Sequence, residues 1–123
     1  MNIIIDTHIF LLSLADPSRL TRQRCRELET RANIVYVSSI TIAEIMIKAS
    51  VGRFVIEFDP RALALQSGFE LLDFSSQAAL LLKNLPFHHK DPFDRMLICQ
   101  SLSHGYPLMT DDKKIARYDC KIL

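Results

Sequence analysis

No run in this sequence is long and apolar enough to cross a bilayer. The longest, such as Ile9 to Leu12 and Leu80 to Leu82, fall far short of the roughly 20 residues a spanning helix needs. The N-terminus lacks the basic start and small-residue cleavage site of a secretory signal, and Asp6 interrupts its apolar stretch. Cysteine is scarce. Cys25, Cys99 and Cys120 are widely spaced, with no Cys-x-x-Cys. That argues against a zinc site and for reduced, mostly buried thiols. These absences point to a cytoplasmic protein with no membrane association. Neither sign of charge dominates: 15 basic against 14 acidic residues leave a net charge of +1. The balance carries no global sign of nucleic-acid binding. If the acids gather at one site, however, other surfaces are left basic. Linkers, internal repeats and low-complexity segments are also missing. Residues 1–123 read as one domain of ordinary size.

What is present is a hydrophobic content of 49%, enough for a core, arranged in alternating short apolar runs and helical patterns. Residues 2–5 are a strand candidate with three isoleucines and no polar alternation, as in the middle of a parallel sheet. Thr7 to Leu14 reads as a helix closed by Asp16-Pro17, and 18–32 as an arginine-rich surface helix. Ile34 to Val37 is a second strand, followed by a helix capped by Ser38 or Ser39 and ended by Gly52. Residues 54–58 fit neither pattern. Pro60 to Ser67 is a helix, Glu70 to Asp73 a strand, Ser75 to Asn84 a helix. Asp91-Pro92 opens a helix that Gly105 ends after His104. Tyr106 to Thr110 is a strand, Asp112 to Arg117 a short helix, Cys120 to Leu123 a last strand. The alternation predicts an α/β fold with a parallel sheet covered on both faces.

Four acidic positions stand at the mouths of these apolar segments. Asp6 follows the first strand, where ligands bind in open α/β sheets. Glu44 sits in an otherwise apolar helix, Asp94 in the first turn of the Pro92 helix, and Asp111-Asp112 after the strand ending at Thr110. Each has a plain structural explanation. Asp6 caps a helix; Glu44 pairs with Lys48 or completes a Thr41-x-x-Glu44 capping box; Asp94 complements a helix dipole; Asp111-Asp112 makes an ordinary turn, or Asp111 caps the last helix. Asp91 reads as the N-cap and is structural. Together the acids suggest a carboxylate cluster, which like-charge repulsion makes untenable without a cation. Magnesium or manganese fits such oxygen donors and leaves positions for phosphate and water. The chemistry expected is that of a Mg2+- or Mn2+-dependent nuclease. Thr110 and His8 are candidates for supporting the ligands. Lys48, Lys90, Arg95, Lys113 and Lys114, close in sequence to the acids, are candidates for RNA phosphates. His88 and His89 read as loop residues, and no histidine pair has helical metal-binding spacing.

Four segments carry a family resemblance: Ile-Ile-Asp-Thr-His-Ile-Phe-Leu-Leu, Ser-Ile-Thr-Ile-Ala-Glu-Ile-Met-Ile-Lys, His-Lys-Asp-Pro-Phe-Asp-Arg-Met-Leu-Ile-Cys-Gln-Ser-Leu and Leu-Met-Thr-Asp-Asp. In order and across essentially the whole chain, they resemble PIN-domain proteins, above all VapC-type toxins of toxin–antitoxin pairs. Asp-Pro-Phe-Asp-Arg is the most specific block. The resemblance implies a three-layer α/β/α domain, endoribonuclease activity, a cognate antitoxin and a homodimer. It implies Asp6, Glu44, Asp94 and Asp112 as the metal acids; Asp111 falls at a usually variable position. One departure is Ser13, where tryptophan is common. The partner's helix is expected to meet apolar residues of the first two helices, such as Phe10 and Leu14.

Other classes fit less well. A phosphatase-type site wants a second aspartate two residues after Asp6, where His8 stands. A receiver module wants its acidic pair earlier in the chain. An RNA-binding domain without strong catalysis would be expected to have lost some of the acids.

Overall fold

The structure, a computed structural model, describes every residue except Phe54. Of the 54–58 stretch that fitted neither pattern, Phe54 therefore lies outside the described residues, and 55–58 form neither helix nor strand. Among the described residues four strands, β1 (Asn2–Ile5), β2 (Ile34–Ser38), β3 (Glu70–Leu72) and β4 (Leu108–Met109), form one sheet in the order β3-β2-β1-β4. All three pairings are parallel. Among the described residues six α-helices flank it: α1 (Thr7–Ala15), α2 (Arg22–Glu29), α3 (Ser39–Ser50), α4 (Pro60–Gln66), α5 (Ser76–Leu80) and α6 (Pro92–His104). This is the three-layer α/β/α arrangement.

The isoleucine run explains the centre. Ile3 and Ile5 pack with Ile9, Phe10, Val35, Val37 and Ile45 on one face. Ile4 points the other way, towards Leu97, Ile98, Leu108 and Ile115. Period-2 alternation thus feeds two separate cores, and β1 is apolar on both sides because both are buried.

Several boundaries differ from the sequence reading. The arginine-rich segment is a 3-10 turn (Pro17–Arg19) followed by α2, with Thr21 capping the helix through the Arg24 amide. The Ser75 to Asn84 helix tightens into a 3-10 turn after Leu80. The short helix near the C-terminus is a 3-10 turn over Ile115–Arg117. The last strand is only an isolated bridge from Leu108 to Ile122. Ser38, not Ser39, caps α3, accepting from the Ile40 amide at 3.0 Å. Thr41 therefore lies inside α3, and no Thr41–Glu44 capping box forms. Phe10 is fully buried against Phe69 and offers nothing to a partner; Leu14 is half-buried.

Candidate metal centre

The ends of parallel strands leave backbone groups and a cleft that loops must line. Here β1 ends at Ile5 and β4 at Met109, side by side in register. Asp6 and Thr110 follow directly, so two polar residues emerge at one sheet edge. Asp6 caps α1, its carboxylate accepting from the Ile9 amide at 2.8 Å. α3 brings Glu44 from across β2, and α6 brings Asp94. Asp6, Glu44, Lys48, Asp91, Asp94, Asp111 and Asp112 line one cleft of about 510 Å³ with His8. A second cleft, about 610 Å³, is lined by leucines with Tyr118, and Asp119 is its single acid.

The acids are held in different ways. Glu44 is buried, with the Thr7 hydroxyl donating to Oε1 at 2.7 Å and Lys48 Nζ to Oε2 at 2.8 Å. Both the lysine pairing and the cleft position read from the sequence therefore apply. Thr7 in turn meets the buried Thr41 hydroxyl at 3.2 Å. Burial pushes the Asp6 carboxyl up, and hydrogen bonds from Thr110 and the Ile9 amide oppose the rise. Asp94 is pushed up to about 7, first by burial and then by the charges of Asp91, Asp6 and Glu44, with His89 opposing. Asp91 caps α6, accepting from the amides of Phe93 at 2.8 Å and Asp94 at 3.2 Å. Burial also works against ionised Asp112. Hydrogen bonds from the Lys114 amide and His89, and the charges of His89 and Lys114, outweigh it and hold that carboxyl below its usual range.

Asp111 and Asp112 separate cleanly. Asp111 is exposed and paired with Arg24, whose guanidinium also binds the Thr110 and Leu123 carbonyls. His8 lies 3.7 Å from Asp111, and its charge also works to lower the Asp6 carboxyl. Asp112 turns inward to His89. Thr110 stabilises the turn by accepting from the Asp112 amide at 3.0 Å.

Of the five basic candidates, Lys48 lines the cleft and Lys90, Lys113 and Lys114 are exposed. Arg95 does not belong with them. Its side chain is buried and donates to the carbonyls of Leu85, Pro86 and His89 and to the Tyr118 hydroxyl, with Phe87 stacked 3.9 Å away. Five planar donors suit several carbonyls at once, so Arg95 organises the chain before α6 and is unavailable to a phosphate.

The residue that sequence reasoning passed over is His89. It is buried, and its Nε2 lies 3.0 Å from Asp94 and 2.7 Å from Asp112. Among the described residues these three form a group whose potential ligand atoms all lie within 4.8 Å. Spacing along the chain, 89 to 94 to 112, gave no signal of it.

The donor set fits a hard divalent cation. Four carboxylates from separate elements face one cleft, and Asp94 is destabilised as an anion by its neighbours. A cation relieves both conditions. Asp6, Glu44, Asp94 and Asp112 would hold it.

The sequence of residues 3–121 matches the PIN domain family model. No curated protein sequence matches the chain. Solved structures share its fold. VapBC2 from Rickettsia felis, bound to a promoter DNA fragment, is 17% identical, with 100% of this chain and 98% of that chain covered and a TM-score of 0.77. DNA-bound VapBC from Salmonella typhimurium is 21% identical, with 100% and 97% covered and a TM-score of 0.72. The PIN domain endonuclease Utp24 is 20% identical, with 94% and 74% covered and a TM-score of 0.52.

Proposed function

The chain belongs to the PIN domain family, and from that premise we propose that it is a Mg2+- or Mn2+-dependent endoribonuclease acting as the toxin of a toxin–antitoxin pair. One observation carries the reading: Asp6, Glu44, Asp94 and Asp112 face a single open cleft at the C-terminal edge of a parallel sheet. A cleft about 510 Å³ in volume and open to solvent suits a strand of RNA. The nuclease class draws support from the family and from the fold shared with an endonuclease. The toxin role draws on the fold shared with VapBC complexes.

The chain's own groups have clear tasks. Thr7 and Lys48 orient Glu44, and the Ile9 amide orients Asp6. Lys48, on the cleft wall, is placed to meet a phosphate, and Lys90, Lys113 and Lys114 extend the basic surface. A bound Mg2+ or Mn2+ would lower the pKa of a water and offset charge building on the phosphate. The partner in this reading is an antitoxin that sets a basic side chain against the four acids, and the protein pairs with itself as a homodimer. Both roles place it in the cytoplasm, and no described helix is long and apolar enough to cross a membrane.

The test is cleavage of single-stranded and looped RNA with magnesium, with manganese and with EDTA. Metal-restored cleavage that a co-expressed antitoxin suppresses supports the reading. RNA binding without cleavage in either metal overturns the nuclease. Cleavage untouched by any co-expressed partner overturns the toxin.

A further inference from the structure

The geometry points to His89 as a positioning residue: its Nε2–H donates to Asp112, lies 3.0 Å from Asp94, and so ties the two acids of one half of the site. The inference deepens the metal-site reading above and rests on it. The hydrogen-bond pattern of the ring decides between two roles. His89 Nδ1 faces the Asp91 amide, which donates to it at 3.1 Å. A nitrogen that accepts an N–H carries no hydrogen of its own, so the ring hydrogen is on Nε2. That atom is the one between the two carboxylates, at 3.0 and 2.7 Å. A metal-ligating imidazole needs the reverse arrangement, with the free electron pair on Nε2. His89 is therefore a donor to the acids and not a third ligand beside them, although it lies close enough to be one.

The surrounding structure fixes the ring. The His89 amide donates to the Tyr118 hydroxyl at 2.9 Å, and its carbonyl accepts from Arg95 at 3.2 Å. Tyr118 donates to Pro86, and Arg95 also holds Leu85 and Pro86. Arg95 follows Asp94 on α6, so the helix that presents the acid also anchors the loop that presents its partner. Asp91 completes the arrangement: its amide orients the imidazole while its carboxylate caps α6. The Asp-Pro-Phe-Asp-Arg block thus supplies a ring-orienting amide, a helix cap, a ligand acid and a loop clamp within five residues.

Two measurements test this. Nitrogen-15 NMR of the His89 ring in the metal-free protein reads the tautomer without needing any metal. Nε2–H is expected; hydrogen on Nδ1 alone overturns the bridge. Manganese affinity is then compared in the parent, His89→Asn and His89→Gln. Asparagine satisfies the Asp91 amide but does not reach the acids, and should weaken binding about 10–100-fold. Glutamine places an N–H near the Nε2 position and should recover most of that loss. Asparagine binding manganese as well as the parent overturns the proposal, as does a spin-echo signature of nitrogen bonded directly to the bound manganese. Melting curves of the metal-free variants confirm that each is folded. If the parent binds no manganese at all, the metal-site reading fails, while the tautomer still decides the bridge.

Discussion

The two halves of the acidic cleft are built differently. On one side Asp6 and Glu44 are anchored many times over. Asp6 is fixed by the first turn of α1 and by Thr110, Glu44 by Thr7 and Lys48, and Thr7 rests on Thr41. On the other side Asp94 and Asp112 share the His89 ring, delivered by a loop, and Asp112 has a second donor in the Lys114 amide at 2.9 Å. A carboxylate with several donors keeps its place when one is lost. Asp94, which among the described residues meets only the His89 ring, does not. The first half belongs to the sheet edge and α3, whereas the second depends on how the chain from Leu85 to Asp91 is folded. Its acids are also electrostatically unlike, Asp94 pushed up to about 7 and Asp112 held low.

The largest effect expected from breaking either half is on chemistry. Asp6→Asn, Glu44→Gln and Asp94→Asn each remove a charged ligand at constant volume. Each should cut RNA cleavage at least about a hundredfold, since losing even an outer partner of a metal ligand costs about 10–100-fold. Turnover measured at saturating manganese checks this. Full activity in any one of the three removes that residue from the site.

The comparison sharpens when the supporting groups are removed. Thr7→Val deletes one of two donors to Glu44 and should lower manganese affinity by less than about tenfold, less than His89→Asn does. Titration calorimetry of both variants decides the order. The reverse order would mean that the sheet-edge half is the fragile one.

The unlike acids also predict how stability depends on pH. The Asp94 carboxyl is pushed up from its ordinary value of 3.8 to about 7, so between those limits the folded protein binds more protons than the unfolded chain. The sign of the linkage makes metal-free stability fall as pH rises from about 4 to about 7, then level off as far as this group is concerned. Asp94→Asn should flatten that slope in melting curves recorded in EDTA. An unchanged slope would place the titration elsewhere.

Much of the first half was legible in the sequence because it is local. Three isoleucines followed by an aspartate define a buried strand and its edge, and an acid on an apolar helix face stands out. Asp91-Pro92 announced a helix cap in the same way. In the second half Asp94 and Asp112 were named, but the histidine between them was not, because His89 reaches Asp112 only once the loop before α6 has folded. Arg95 misled for a related reason. Its neighbours in sequence are acids and a lysine, which suggests a basic groove, but the carbonyls that bury it come from residues six to ten positions upstream. The C-terminal strand shrank to one bridge because β4, only two residues long, offers a short free edge. Asp111 and Asp112 look alike in sequence, and only the placement of Arg24 and His89 tells them apart.

The smallest effect expected is at Asp91. Asparagine caps helices about as well as aspartate, and its amide hydrogen still reaches His89. Asp91→Asn should shift stability by no more than about half a kcal/mol and keep most of the cleavage activity. Loss as complete as that of Asp94→Asn would make Asp91 a ligand.

The central claim is that these four carboxylates make one cation site. The most direct measurement is thermal melting of the parent and Asp94→Asn near pH 8, in EDTA and in manganese. In EDTA the variant should melt above the parent, because it lacks one repelling charge. Manganese at a hundredfold excess over its dissociation constant should stabilise the parent by about 2.7 kcal/mol and the variant by clearly less. A variant that melts below the parent in EDTA, with both gaining equally from manganese, would contradict the account.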